Sequence, residues 1–203
     1  IQNPNCGWLY RSSAEDIAKI PSSPIVYWQT ERFYELFRTL NGLSEIAKPR
    51  QGATTSDNGR FLRAWTEVSC QSIGFGHASR ASASASARKW FPYNKGGEFR
   101  RWYGNQEFII NYENDGEEIK EFHEELNKTR PGGRLKNQEH YFSQSVSWSK
   151  ISTGSFAVRY FPAGFIFDVA GSAVFFEGKE DFEYFTGLLN SAVVISVLQA
   201  LSA

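Results

Sequence analysis

The chain has 203 residues, 41% of them hydrophobic and 16% aromatic, with a formal net charge of zero and two cysteines. That length suits one sizeable core with at most an appended subdomain, and the composition excludes a disordered or low-complexity protein. Zero net charge removes any global pull on a polyanion, and Cys6 and Cys70 have no metal-site or disulfide spacing, as in a reduced, cytoplasmic protein.

The charge is nevertheless blocked. Glu113 to Glu125 holds seven acids and one Lys, whereas Lys128 to Lys136 holds four bases and no acid. The chain has no Met and starts at Ile1, which reads as a processed chain or an excised fragment. Ile1 to Tyr10 is too polar for a signal peptide. The most apolar run, Gly187 to Leu201, is interrupted by Asn190, Ser191, Ser196 and Gln199 and is shorter than the roughly 20 residues of a membrane span. It reads as a core helix, with no membrane partner.

In chain order, Ser12 to Glu15 is a capping-box pattern for a short helix ending at Pro21. Ile25 to Trp28 predicts a short strand. Thr30 predicts the cap of a helix with Phe33, Leu36, Phe37 and Leu40 on one face, stopped by Gly42. Lys48 to Arg60 is a polar turn, dense in small hydroxyl and amide side chains, that leads into a strand near Phe61 to Val68. Such a turn can grip phosphates, although ordinary Asx or Ser/Thr turn chemistry explains the same residues. Ala78 to Ala87 alternates Ala and Ser and predicts a mobile loop.

From Arg88 to Tyr103 the chain packs five basic residues, six aromatics and one acid around Pro92 and Gly96-Gly97. Aromatic faces stack on bases, while Lys and Arg neutralise phosphates and read base edges. Pro and paired Gly suggest an irregular surface ribbon, and a buried aromatic cluster is the structural alternative. Phe108 to Tyr112 predicts a strand. Asp115 and Glu118 open a helix with Ile119, Phe122 and Leu126 inward, an acidic outer face that would repel DNA, and a stop at Pro131-Gly132-Gly133. Tyr141 to Phe176 reads as β-structure, with turns at Thr153-Gly154, Pro162-Ala163-Gly164 and Ala170-Gly171-Ser172 and an interior strand at Phe165 to Val169. Lys179 onward is helical.

Catalytic signatures are missing from this pattern. His77, His123 and His140 are scattered, and no Walker A, G-x-S-x-G or zinc motif occurs. Gly74-Phe75-Gly76 lacks the third glycine of a dinucleotide fingerprint. Asn3-Pro4-Asn5-Cys6 lacks the second Pro and the aromatic of an amino-methylating tetrapeptide.

A series of motifs carries a resemblance. Pro24 to Trp28 is followed by Gln51-Gly52, Thr54 to Arg63, Trp65 and Glu67-Val68. Lys89 to Gly97, Arg101 to Asn105, Asn111 to Gly116, Trp148 to Ile151, Gly164 to Asp168 and Leu188 to Ser191 complete it. In this order they resemble the C-terminal specificity region of PglX-type adenine-specific DNA methyltransferases of bacterial phage-exclusion (BREX) systems and of related fused restriction–modification enzymes. The resemblance implies an α+β fold of the TaqI-like, restriction-specificity type, with a β-rich central domain and flanking helices. It implies a helical lead-in over 1–47, a target-recognition domain over 48–178 and a C-terminal helical segment over 179–203. It also implies that S-adenosylmethionine and the catalytic machinery belong to a separate half of the parent chain, so that this part binds double-stranded DNA and is inert alone.

The candidate DNA contacts are Lys95, Arg100 and Arg101, with Trp102 and Tyr103 as planar surfaces, and Lys150 and Arg159 on the same face. Thr54, Thr55, Asn58 and Arg60 form a second, loop-borne contact. Both sets are expected along one double-helical path, and placement on opposite sides would contradict that. Trp102, Trp90 and Phe61 could instead be buried scaffold. The other class of function is a protein-docking module for other phage-defence subunits, using the acidic helix at Glu117 to Glu125.

Overall fold

A computed structural model of the chain describes residues 7 and 10 and residues 12–151, 154–176 and 179–201. The Asn3 to Cys6 tetrapeptide and the Thr153 half of the expected turn at Thr153-Gly154 lie outside the described residues. In chain order the helices are α1 (Ala14–Ala18), α2 (Glu31–Thr39), α3 (Asn58–Phe61), α4 (Arg80–Ala85), α5 (Glu113–Thr129), α6 (Lys179–Leu189) and α7 (Ala192–Leu201). The strands are β1 (Pro49–Arg50), β2 (Ala53–Thr54), β3 (Leu62–Ala64), β4 (Trp90–Asn94), β5 (Phe108–Asn111), β6 (Arg134–Leu135), β7 (Ser145–Trp148), β8 (Val158–Phe161), β9 (Ile166–Phe167) and β10 (Ala173–Val174). The fold is α+β. The chain divides into a small unit, 1–45 with 191–203, and a large one, 46–190.

The small unit is helical. Asp16 N donates to Ser13 Oγ at 3.0 Å, so the cap of α1 is Ser13 rather than Ser12, whose hydroxyl instead meets Tyr34 Oη at 3.0 Å. Ile25 to Trp28 forms a turn and no strand: Gln29 N closes on Val26 O, and Tyr34 Oη donates to the same carbonyl at 3.1 Å. Helix α2 ends at Thr39, where Leu40 turns extended (φ −101°, ψ 143°), before Gly42 is reached. Its inward face is therefore Phe33, Tyr34 and Phe37, packed with Ile20, Val26 and Val197, Ala200 and Leu201 of α7, while Leu36 and Leu40 point outward.

The large unit has a sheet ordered β1-β10-β7-β8, a second ordered β3-β5-β4-β9, and the short pair β2-β6. The first half of the aromatic ribbon is not a surface segment. Strand β4 runs inside its sheet, antiparallel to β5 and parallel to β9, with Phe91 and Tyr93 sealed in the core. Pro92 is tolerated because β9 pairs with β4 only from Tyr93 onward and the Ile73 bridge reaches only Trp90, so no ladder bond needs its missing N–H.

The Ala/Ser run is not a loop either. It contains helix α4, capped by Ser79, whose Oγ accepts from Ser82 N at 3.2 Å. Alanine's helix propensity and small volume let Ala83 enter the main core, and Arg80 ties the helix to Asp115. Ahead of the Phe61 region the expected strand shortens to β3, because Asp57 caps α3 by accepting from Arg60 N at 3.0 Å. Helix α5 follows a left-handed start at Asn114 to Gly116 and buries Ile119 and His123, with Phe122 against the core. The Gly187 to Leu201 run is two helices, since the Asn190 side chain is spent on Val158 N, Val158 O and Thr186 O. Among the described residues, no single helix is long and apolar enough to cross a membrane.

Two features carry the site. Asn94, buried at the end of β4, donates from Nδ2 to Ser147 Oγ at 2.7 Å, joining the two sheets, and accepts from Gly96 N at 3.2 Å. Gly96 then has φ +73°, and a side chain there would press a Cβ to 2.6 Å from Ala170 O. The chain is thus forced out of the sheet, beginning the loop 95–107.

Candidate nucleic-acid interface

Loop 95–107 returns along the edge of β8. Trp102 N donates to Val158 O and Tyr160 N to Trp102 O, both at 3.1 Å, so Trp102 covers an otherwise open strand edge. The Trp102 backbone is left-handed (φ +70°), and the residue stays 54% exposed beside Tyr103 at 69%. These aromatics are not scaffold. Phe61 is, at 0%, and Trp90 is half-buried under the Arg63 guanidinium, 5.6 Å from its ring.

Arg100 and Arg101 are exposed on the same loop. The Arg101 guanidinium lies 5.7 Å over the Phe99 ring, and Arg100 faces Glu98 at a loose 3.7 Å across solvent. Lys150, exposed at the end of β7, lines one pocket together with Phe99 and Arg159. Arg159 itself is not a surface contact. It is 1% exposed and reaches beneath the loop, donating from Nη1 to Arg100 O at 3.3 Å and from Nη2 to Ser149 Oγ at 3.1 Å. Burial holds its guanidinium pKa below the ordinary value, against the opposing charge of Glu107.

Lys95 leaves the cluster as well. Its ammonium rests 5.7 Å from the Phe108 ring, and partial burial lowers its pKa although Asp168 pulls the other way.

The Thr/Asn turn is elsewhere. In the β3-β5-β4 register, Leu62 meets Ile110 and Trp90 meets Asn111 at one end, while Ala64 and Tyr93 meet Phe108 at the other. The turn precedes Leu62, whereas loop 95–107 joins Asn94 to Phe108, so the two leave opposite ends of one sheet. About 10 Å of strand separates them before either loop's own extent.

The turn's groups are also engaged internally. Thr55 is buried; its Oγ1 donates to Asn58 Oδ1 at 2.6 Å and its carbonyl accepts from His123 Nε2 at 3.1 Å. The Thr54 backbone lies opposite Arg134 in the β2-β6 pair, and Arg60 bonds Glu118 at 2.9 Å while lying over Phe61 and Phe122. That hydrogen bond from Arg60 holds the Glu118 carboxyl below the usual range. The structure therefore gathers Arg100, Arg101, Trp102, Tyr103 and Lys150, and leaves out Thr54, Thr55, Asn58, Arg60 and Lys95. Sequence reasoning missed Phe99 and Ser149 as parts of the cluster. Phe99 carried a signal, being flanked by charge inside the ribbon; Ser149 carried none.

No family model matches the chain. It is 38% identical over 207 residues to an adenine-specific methyltransferase PglX from Lacticaseibacillus casei (strain Zhang), which takes in 100% of this chain and 17% of the relative. It is 42% identical over 170 residues to an adenine-specific methyltransferase BrxX from Escherichia coli O9:H4 (strain HS), covering 82% of this chain and 12% of that protein. These methyltransferases are its homologues. The chain spans well under a fifth of the length of either.

Gly74 N donates to Trp90 O at 2.8 Å, next to an Ile73–Trp90 bridge, so Gly74-Phe75-Gly76 extends a sheet edge instead of turning into a helix N-terminus. The described residues form no group of three or more His, Cys, Asp or Glu able to hold a metal ion. Chemically, the exposed cluster can stack planar rings and neutralise anions.

Proposed function

We propose that the chain is a DNA target-recognition segment of a BREX-type adenine-specific methyltransferase. In this reading it holds duplex DNA and selects the site, while S-adenosylmethionine and the transfer chemistry belong to another part of the parent protein in the cytoplasm. The observation that carries the reading is the surface cluster Arg100, Arg101, Trp102, Tyr103 and Lys150, built on a loop pinned at Asn94 and along β8. Guanidinium groups take phosphates or guanine edges, and exposed rings at the rim stack or wedge against bases. Homology to adenine-specific methyltransferases supports the same reading.

The surface of α5 favours a second function of another class. Glu117, Glu121, Glu124 and Glu125 are exposed there and suit a basic protein partner of the defence complex better than a nucleic acid. The deciding experiment selects from a randomised duplex library with the 203-residue protein and sequences the survivors. Enrichment of one motif, with affinity falling steeply in salt, is expected. Binding without any enriched motif, or none at low salt, contradicts target recognition.

A further inference from the structure

Beneath the exposed cluster lies a polar cavity of about 180 Å³, lined by Phe99, Ser149, Lys150, Ser155, Phe156 and Arg159. At roughly 30 Å³ per water this is space for about six waters, which fits a small oxyanion and not a nucleoside. Its floor is anomalous. Arg159 is fully buried, yet among the described residues no carboxylate lies within ion-pair distance of its guanidinium. Among the described residues, its two terminal nitrogens reach a carbonyl and a hydroxyl, and Nε is buried with no hydrogen-bond partner. A buried cation with an orphaned donor is costly unless something supplies charge and acceptors.

The surroundings point to what that is. Ser149 Oγ accepts from Arg159 and keeps its own proton to donate, and Ser155 adds a second hydroxyl to the lining. Lys150 stands at the wall, and Arg101 lies over the Phe99 ring that forms part of the rim. Two cationic groups, Lys150 and Arg159, therefore line one cavity, with Arg101 over a ring of its lining. Of the acids near them, Glu98 faces Arg100, and Glu107 acts on Arg159 by its charge without an ion-pair contact.

We infer that this cavity is an anion site for a single phosphate group, and that in the duplex complex it clamps one backbone phosphate. The second half rests on the DNA-recognition reading above; the first does not. A seated phosphate would set a negative charge against the Arg159 guanidinium and, through the Arg159 bond to Arg100 O, stiffen the loop carrying the exposed arginines. Phosphate occupancy and loop order are thereby coupled.

Two titrations test it. In the first, sodium phosphate is added to the 203-residue protein by NMR against sodium chloride at matched ionic strength. Saturable shifts confined to Ser149, Lys150, Ser155 and the Arg159 Nε–H are expected, weakened several-fold by Lys150→Ala and by Ser155→Ala. Both variants alter the cavity wall without removing the buried arginine, so they test the site even if Arg159→Lys fails to fold. No shift, or shifts spread equally over other Lys and Arg, overturns the anion site. In the second, a selected duplex carries one neutral methylphosphonate at successive positions. A single position should weaken binding by roughly tenfold and abolish the effect of Lys150→Ala, lowering the salt slope by about one phosphate. If phosphate binds but no duplex does, the DNA reading falls and the anion site stands. If duplex binds with no position singled out, the clamp falls and the DNA reading stands.

Discussion

Two loops of the large unit invite comparison, because both offer hydrogen-bonding and cationic side chains at the end of a short strand. In the turn at residues 54–60, the main hydrogen-bonding and cationic side chains have partners in the fold: Thr55 with Asn58, Asp57 with the Arg60 N–H, and Arg60 with Glu118. In loop 95–107, the backbone is tied down by Asn94, Trp102 and Arg159, while Arg100, Arg101, Trp102 and Tyr103 are left outward. Composition is alike, but pairing is not. A surface is available to a ligand where the fold has fixed the backbone and left the side chains unspent.

Three variants sharpen the contrast. Arg100→Ala with Arg101→Ala should weaken duplex binding by roughly 10²-fold and reduce the salt slope by about 1.8, the share of two phosphate contacts. Arg60→Ala in the same fluorescence-anisotropy assay should change affinity by less than about twofold, its losses being an exposed ion pair and ring contacts. Equal losses in both variants would erase the distinction between the loops. Next in size is Trp102→Ala, expected to cost about 1–3 kcal/mol of DNA affinity through lost stacking. With the residue more than half exposed, the melting temperature should hardly move; a large drop would make Trp102 scaffold after all.

The smallest effect concerns stability on the non-binding side. Partial burial would raise the Asp115 carboxyl, but hydrogen bonds from Arg80 and Lys120 outweigh it and hold the pKa below 3.8. A depressed carboxylate contributes stability above its unfolded pKa and loses it as pH falls through the folded one. Asp115→Asn should therefore cost about 1 kcal/mol at pH 7 and flatten the acid limb below about pH 4 in urea titrations. An unchanged acid limb would show that the Arg80–Asp115 tie does not anchor α4.

What was legible in the sequence follows the same logic of partners. The α+β class, α5 with Ile119 and Phe122 inward, and β5 are visible because their periodicity reports one buried face. Helix α4 was hidden, since Ala and Ser alternate without an apolar face and the helix is held by Arg80 and a single buried alanine. Strand β4 was obscured by Pro92, whose missing donor matters only if a neighbour asks for it, and register is not written locally. The arginines of loop 95–107 could be chosen by type. That Arg159 goes beneath them and Arg60 goes to Glu118 depends on contacts 59 and 58 residues away in the chain.

The central claim is that loop 95–107, and not the turn at 54–60 or the acidic helix, faces the duplex. Amide hydrogen exchange of the 203-residue protein with and without a selected duplex measures this directly. Protection should appear at residues 99–103 and 149–151 and leave 54–60 and 117–125 unchanged. Protection confined to the turn or to α5 would contradict the account.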